Sequence, residues 1–79
     1  MSFEGINSVH LLGIGGIGMS ALARWFRHEG HAVSGYDRTP SPLTDELIAE
    51  GMQISFDDKL ETIPAVITDN PEKSLIIWT

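Results

Sequence analysis

Four glycines within six residues are the feature that most restricts how this chain can fold. Gly13, Gly15, Gly16 and Gly18 stand between an apolar, strand-like segment and a helix-like segment, in the run "LLGIGGIGMSALARW". Glycine weakens both helices and strands, so such a run predicts a tight turn or a close approach of the backbone to another group. A turn that needs positive φ would explain one or two of the glycines, but not all four.

The spacing Gly-x-Gly-x-x-Gly, directly after a strand and at the start of a helix, is typical of a nucleotide diphosphate site. In that interpretation Gly13 makes the tight turn, Gly15 lets the backbone approach the diphosphate, and Gly18 lets the helix pack closely on the strand. The diphosphate would then accept hydrogen bonds from the free amides at the helix N-terminus.

An acidic residue follows the second predicted strand, about twenty residues after the glycines. This residue, Asp37, is predicted to accept hydrogen bonds from ribose hydroxyls. The alternative is a structural role, either as a solvated strand end or as a partner in a helix cap.

The rest of the chain alternates strands with helices. Such alternation predicts an α/β fold with a parallel, Rossmann-like sheet and flanking helices. Glycines and prolines mark the boundaries, with Ser41 as the cap of the second helix and Gly30 and Gly51 as helix stops. The predicted strands are 9–12, 32–36, 53–56 and 75–78, the predicted helices are 17–29 and 42–50, a helical turn is expected at 57–62, and 63–73 is predicted to be mostly loop with a short extended piece at 65–67.

Apolar spacing predicts which face of each helix is buried. In the first helix this face is expected to contain Gly18, Ala21, Leu22, Trp25 and Glu29. In the second helix the expected buried residues are Leu43, Leu47 and Ile48.

Composition excludes several classes of function. A chain of 79 residues is at most one small domain, and its net charge of −6 argues against nucleic-acid binding. Cysteine is absent, and no segment resembles a signal peptide or a membrane span. The histidines, His10, His28 and His31, are too scattered in the sequence to suggest a metal site. No Gly-x-x-x-x-Gly-Lys-Ser/Thr loop occurs, so no ATP phosphate cradle is predicted within these residues.

Several of these segments together resemble the N-terminal domain of the Mur ligases, in particular the alanine-adding branch. The similar segments are "VHLLGIGGIGMSALA", "GHAVSGYD", "LTDELIAEGMQI" and "SLIIWT", which together cover nearly the whole chain. The double glycine followed by Gly-Met-Ser differs from the usual NAD pattern. Tyr36 departs from the family, which usually has serine there, and no role is assigned to residues 63–73.

The resemblance implies that residues 1–79 are the UDP-binding, Rossmann-like domain of a cytoplasmic, ATP-dependent ligase of peptidoglycan synthesis. Its substrate would be UDP-N-acetylmuramate, and ATP and magnesium would bind in a central domain that this sequence lacks. The chain alone would bind the nucleotide sugar and catalyse nothing. The implied UDP-binding residues are Gly15, Gly16, Ile17, Gly18, Met19, Ser20, Asp37, Arg38 and Thr79. The alternative from the residues alone is an NAD-binding domain of a dehydrogenase or of a transporter regulatory module, which Gly13, Gly15, Gly18 and Asp37 would serve equally well.

The final predicted strand suggests a truncated domain. A parallel sheet is normally covered on both faces, whereas this chain stops at Thr79, directly after the strand "LIIW". The family resemblance places that strand beside a central first strand. Its apolar outer edge is therefore expected to pair with a second copy, giving a homodimer.

Overall fold

Four parallel strands form one sheet in the order β3-β2-β1-β4. The computed structural model describes residues 5–57 and 63–78. The elements are β1 (Ser8–Leu12), α1 (Ile17–His28), β2 (Ala32–Tyr36), α2 (Pro42–Ala49), β3 (Gln53–Ser55), α3 (Ala65–Thr68), a 3₁₀ turn (Pro71–Lys73) and β4 (Ser74–Ile77). The predicted parallel α/β sheet is confirmed, with β1 in the interior between β2 and β4.

The element boundaries agree with the sequence to within one or two residues, with one exception in the last third of the chain. The predicted extended piece at 65–67 is wrong, because Ala65–Thr68 forms a single helical turn. In that turn the Asp69 amide donates to the Ala65 carbonyl at 2.8 Å, and Ile67 is 4% exposed. Burial of Ile67 outweighs the strand preference of a β-branched run. Most of the helical turn expected at 57–62 lies outside the described residues.

The core lies between α1, α2 and one face of the sheet. Its fully buried members include Val9, Leu11, Phe26 and Leu47. These side chains pack where two helices cover two neighbouring strands, which is the arrangement expected of consecutive right-handed β-α-β crossovers. The sheet is therefore covered by helices on this face.

The prediction of the buried face of α1 is wrong, because the buried residues lie about one position further along the helix than predicted. Ser20, Ala23 and Phe26 are the buried residues, whereas Gly18 and Ala21 are exposed and Trp25 is 45% exposed. Both faces of this helix carry apolar side chains, so periodicity alone did not distinguish them. In α2 the predicted burial of Leu47 is confirmed, but Ile48 is 44% exposed and Thr44, which was not predicted to be buried, is buried.

Gly35 in β2 allows an unusually close approach of the glycine loop. A Cβ atom built at Gly35 would lie 2.6 Å from Cδ1 of Ile14 and 2.7 Å from the Leu11 carbonyl oxygen. Ile14 is fully buried, and it occupies the space that a larger residue at position 35 would fill. Gly35 thus lets the loop after β1 anchor itself across β2.

A buried polar pair joins β1 to β2. Nδ1 of His10 and Oγ of Ser34 are 2.8 Å apart, and the two residues are directly opposite in the parallel register. His10 is 2% exposed, and desolvation lowers its pKa below the ordinary value of 6.5. The described residues contain no cluster of three or more His, Asp or Glu that could hold a metal ion. The contact with Ser34 gives His10 a structural role between the two strands.

This pair predicts a loss of stability in mild acid. Because the pKa of His10 is lower in the folded than in the unfolded chain, the unfolded chain binds more protons as the pH falls below about 6.5. The free energy of unfolding should therefore decrease between about pH 7 and pH 5. Urea unfolding across this range measures the effect, with His10→Gln as the control because glutamine can bond to Ser34 but does not titrate. Parallel pH curves for the two proteins would contradict the prediction.

β4 lies at one edge of the sheet and pairs with β1. The position of "LIIW" beside β1 is thus confirmed. Ile76 is 40% exposed and Trp78 is 68% exposed. Pairing of this edge with a second copy of the chain stays a prediction. Within the described residues, no helix is both long enough and apolar enough to cross a bilayer.

Candidate functional site

The glycine loop, residues 13–16, lies where the direction of the strand order reverses. From β1 the chain moves to β2 and β3 on one side, and it then returns to place β4 on the other side of β1. In open parallel sheets this point leaves a crevice at the carboxyl ends of the strands, where ligands bind. The loop leaves β1 at that end and leads directly into α1.

Hydrogen bonds to the end of β2 hold the first half of the loop. The amides of Gly13 and Ile14 both donate to the Tyr36 carbonyl, at 2.7 and 3.1 Å, and the Gly16 amide donates to the Gly13 carbonyl at 3.0 Å. Gly13 has φ +81, a conformation that other residues rarely adopt. The prediction that Gly13 makes the tight turn is confirmed.

Gly15 is in contact with the protein itself. Its amide donates to Oδ2 of Asp37 at 2.7 Å. A Cβ atom built at Gly15 would lie 2.7 Å from that same oxygen and 2.9 Å from Cγ2 of Thr44. The space beside Gly15 that the sequence assigned to a diphosphate is therefore filled by Asp37 and by the start of α2.

The amides at the start of α1 are the ones left for an anion. The Ser20 amide donates to the Gly16 carbonyl at 2.7 Å, whereas in the described chain the amides of Ile17, Gly18 and Met19 have no acceptor. Gly16 occupies the N-cap position, and α1 has no side-chain cap. Unpaired amides and the helix dipole make such a terminus favourable for negative charge.

The start of α2 is capped, in contrast to that of α1. The Thr44 amide donates to Oγ of Ser41 at 3.1 Å, and the Ser41 amide donates to Oγ1 of Thr44 at 2.9 Å. The predicted cap at Ser41 is confirmed, but the sequence analysis missed Thr44. The pattern Ser-x-x-Thr, which resembles a capping box, was the available signal. Because Thr44 is fully buried against Gly15, it holds α2 beside the glycine loop.

The end of the glycine loop at Gly16 and the first turn of α1 face open space. A Cβ atom built at Gly16 would meet only the Gly13 carbonyl oxygen, at 3.4 Å, and one built at Gly18 would meet no described atom within 4 Å. The interpretation that Gly18 lets α1 pack closely on the strand is therefore wrong. Ile17 is 88% exposed beside these two glycines. This side of the loop is accessible to a ligand.

Three further residues of the predicted UDP site are Ser20, Arg38 and Thr79. Ser20 is turned inward, since its hydroxyl donates to the Ile17 carbonyl at 2.9 Å and the residue is 4% exposed. Arg38 is exposed in the loop after β2, next to Asp37 in the sequence. Thr79 lies outside the described residues.

Two features typical of ATP and magnesium sites are not found among the sequence motifs and the described residues. The sequence has no phosphate-binding Gly-x-x-x-x-Gly-Lys-Ser/Thr loop. Over residues 5–57 and 63–78, no group of acidic or histidine side chains is placed to hold a metal ion.

The sequence of the chain matches a family model described as "Mur ligase family, catalytic domain" over residues 8–76. Similar proteins include UDP-N-acetylmuramate--L-alanine ligases from three bacteria. The protein from Porphyromonas gingivalis W83 is 54% identical over 71 residues, which are 90% of this chain and 15% of the relative. Those from Flavobacterium johnsoniae and Cytophaga hutchinsonii are 51% and 48% identical over all 79 residues, or 17% of each relative.

The chain thus spans about a sixth of the length of the curated relatives it matches. The family match includes β1, the glycine loop, both long helices and nearly all of β4. The resemblance found in the glycine loop and in the segment ending at Asp37 is confirmed over this range, and the chain belongs to the Mur ligase family.

Proposed function

We propose that this chain binds the UDP group of UDP-N-acetylmuramate, as the N-terminal domain of an ATP-dependent UDP-N-acetylmuramate–L-alanine ligase. The observation that carries the proposal is the uncapped start of α1, whose amides at Ile17, Gly18 and Met19 lie at the reversal point of the sheet. Diphosphate oxygens are the acceptors that such amides bind well.

The relatives support the choice of ligand. Each is named for a reaction that joins UDP-N-acetylmuramate to L-alanine. A family of nucleotide-sugar ligases requires a diphosphate site, and α1 starts without a side-chain cap at the expected crevice. A net charge of −6 is compatible with this ligand, because backbone amides bind phosphate without a basic surface.

The proposal assigns one step of the overall activity to this chain. It holds the nucleotide end of the substrate, while residues outside these 79 bind ATP and magnesium and carry out amide-bond formation. The whole protein would act in the cytoplasm in peptidoglycan synthesis. By itself the chain is expected to bind the nucleotide sugar without catalysing a reaction.

Parallel calorimetric titrations of the 79-residue chain test the proposal. UDP and UDP-N-acetylmuramate should release binding heat that saturates at one ligand per chain, and NADH should not. NADH distinguishes the NAD-binding alternative, because its diphosphate is the same but its nucleosides differ. Binding of NADH without binding of UDP, or no heat from any ligand, would contradict the proposal.

A further inference from the structure

The carboxylate of Asp37 already has two partners within the protein. Oδ2 accepts a hydrogen bond from the Gly15 amide at 2.7 Å, and Oδ1 accepts one from the Thr39 amide at 3.2 Å. The Asp37 amide donates to the Ser55 carbonyl at 3.1 Å, which anchors this residue to β3. One side chain therefore connects the loop after β1 with the loop after β2, and its backbone is fixed to the sheet.

The contact with Gly15 requires the absence of a side chain at that position. A Cβ atom there would lie 2.7 Å from the carboxylate oxygen, a separation that real Cβ atoms do not show. Gly15 and Asp37 are thus complementary, and the glycine is explained by the carboxylate rather than by a ligand. Charge-assisted hydrogen bonds of this kind are about twice as strong as neutral ones.

This contact decides which amides face the ligand. With the Gly15 amide held by Asp37 and the Gly16 amide held by Gly13, the next three amides, Ile17, Gly18 and Met19, start α1 without an acceptor in the described chain. If the Gly15 amide were released, the loop could turn and the start of α1 would lose its fixed orientation. Preorganised donors bind an anion better than mobile ones because less order must be imposed on binding.

We propose that Asp37 is a positioning residue of the phosphate site. It acts by holding the glycine loop in place through its hydrogen bond with the Gly15 amide, rather than by binding the ribose. The inference rests on the proposed function. It differs from the ribose contact that the sequence suggested, and it is argued from the two hydrogen bonds that the carboxylate oxygens accept from backbone amides of the protein.

Two variants separate positioning from the other roles. Asp37→Ala removes the acceptor and the charge, whereas Asp37→Asn removes the charge but keeps one oxygen for the Gly15 amide. Each is titrated with UDP and with inorganic pyrophosphate. Positioning predicts that Asp37→Ala weakens binding of both ligands by the same factor, about tenfold or more, and that Asp37→Asn, which keeps a weaker neutral acceptor, weakens both by a smaller factor.

The other outcomes overturn the proposal. A ribose contact predicts that Asp37→Ala weakens binding of UDP but leaves pyrophosphate unchanged. A purely electrostatic role predicts that both variants bind pyrophosphate more tightly than wild type, since each removes a negative charge beside the site. Circular dichroism confirms that each variant is folded before titration.

A measurement without ligand tests directly whether Asp37 holds the Gly15 amide. Hydrogen exchange at the Gly15 amide, followed by NMR, should be slow in wild type, intermediate in Asp37→Asn, and at least about tenfold faster in Asp37→Ala than in wild type. The amide of Val9 in β1 serves as the reference, and it should exchange at the same rate in all three proteins. An unchanged Gly15 rate in Asp37→Ala overturns the inference. Failure of wild type to bind either ligand would instead count against the proposed function and leave the exchange result to decide the role of Asp37.

Discussion

Replacing Gly16 by valine should eliminate UDP binding while leaving the fold intact. Gly16 has φ −67 and ψ 152, an extended conformation that suits a β-branched residue. A Cβ atom there meets only the Gly13 carbonyl oxygen, at 3.4 Å, so the loop can accept the substitution. The added methyl groups would stand in front of the amide of Ile17 and exclude a diphosphate.

Calorimetric titration with UDP measures this effect, with circular dichroism as the check on folding. Ala21→Val is the matched control, since Ala21 is exposed on the same helix about one turn beyond the uncapped amides. It introduces a similar β-branched side chain and should bind UDP as wild type does. If Gly16→Val retains wild-type affinity, the phosphate site lies elsewhere in the chain.

Replacing Phe26 by alanine should lower the free energy of unfolding by about 3–5 kcal/mol. Phe26 is fully buried, and it is the largest such side chain among the described residues. Its ring also packs edge-to-face against His31, with centroids 5.4 Å apart. Since small domains have only about 5–15 kcal/mol of stability, a large part of the total would be lost.

Urea unfolding followed by circular dichroism measures the change. Trp25→Ala provides the comparison, because Trp25 is the neighbouring aromatic residue but is 45% exposed. Trp25→Ala should lower the free energy of unfolding clearly less than Phe26→Ala does, because less apolar surface is removed from the protein interior. The opposite order would mean that α1 buries the face that periodicity predicted from the sequence.

The sequence by itself determined the order of the four strands and the two long helices, and it predicted the position of the candidate site. Strands alternating with helices, with glycines and a Ser-Pro pair at the boundaries, gave the parallel sheet because these signals are local. The glycine loop after β1 was identified for the same reason, since positive φ at Gly13 is a property of the backbone at that residue. The family resemblance also came from contiguous residues.

Only the tertiary structure decided which side chains pack against the glycines. Gly15 faces Asp37 and Thr44, which are 22 and 29 positions away in the sequence, and no local pattern specifies that contact. The buried face of α1 was likewise undetermined, because Trp25 and Phe26 are adjacent and both are apolar. Which face of a helix packs against a sheet depends on the shape of the surface below it, which here is formed by β1, β2 and the side chain of Ile14. That surface exists only once the chain has folded.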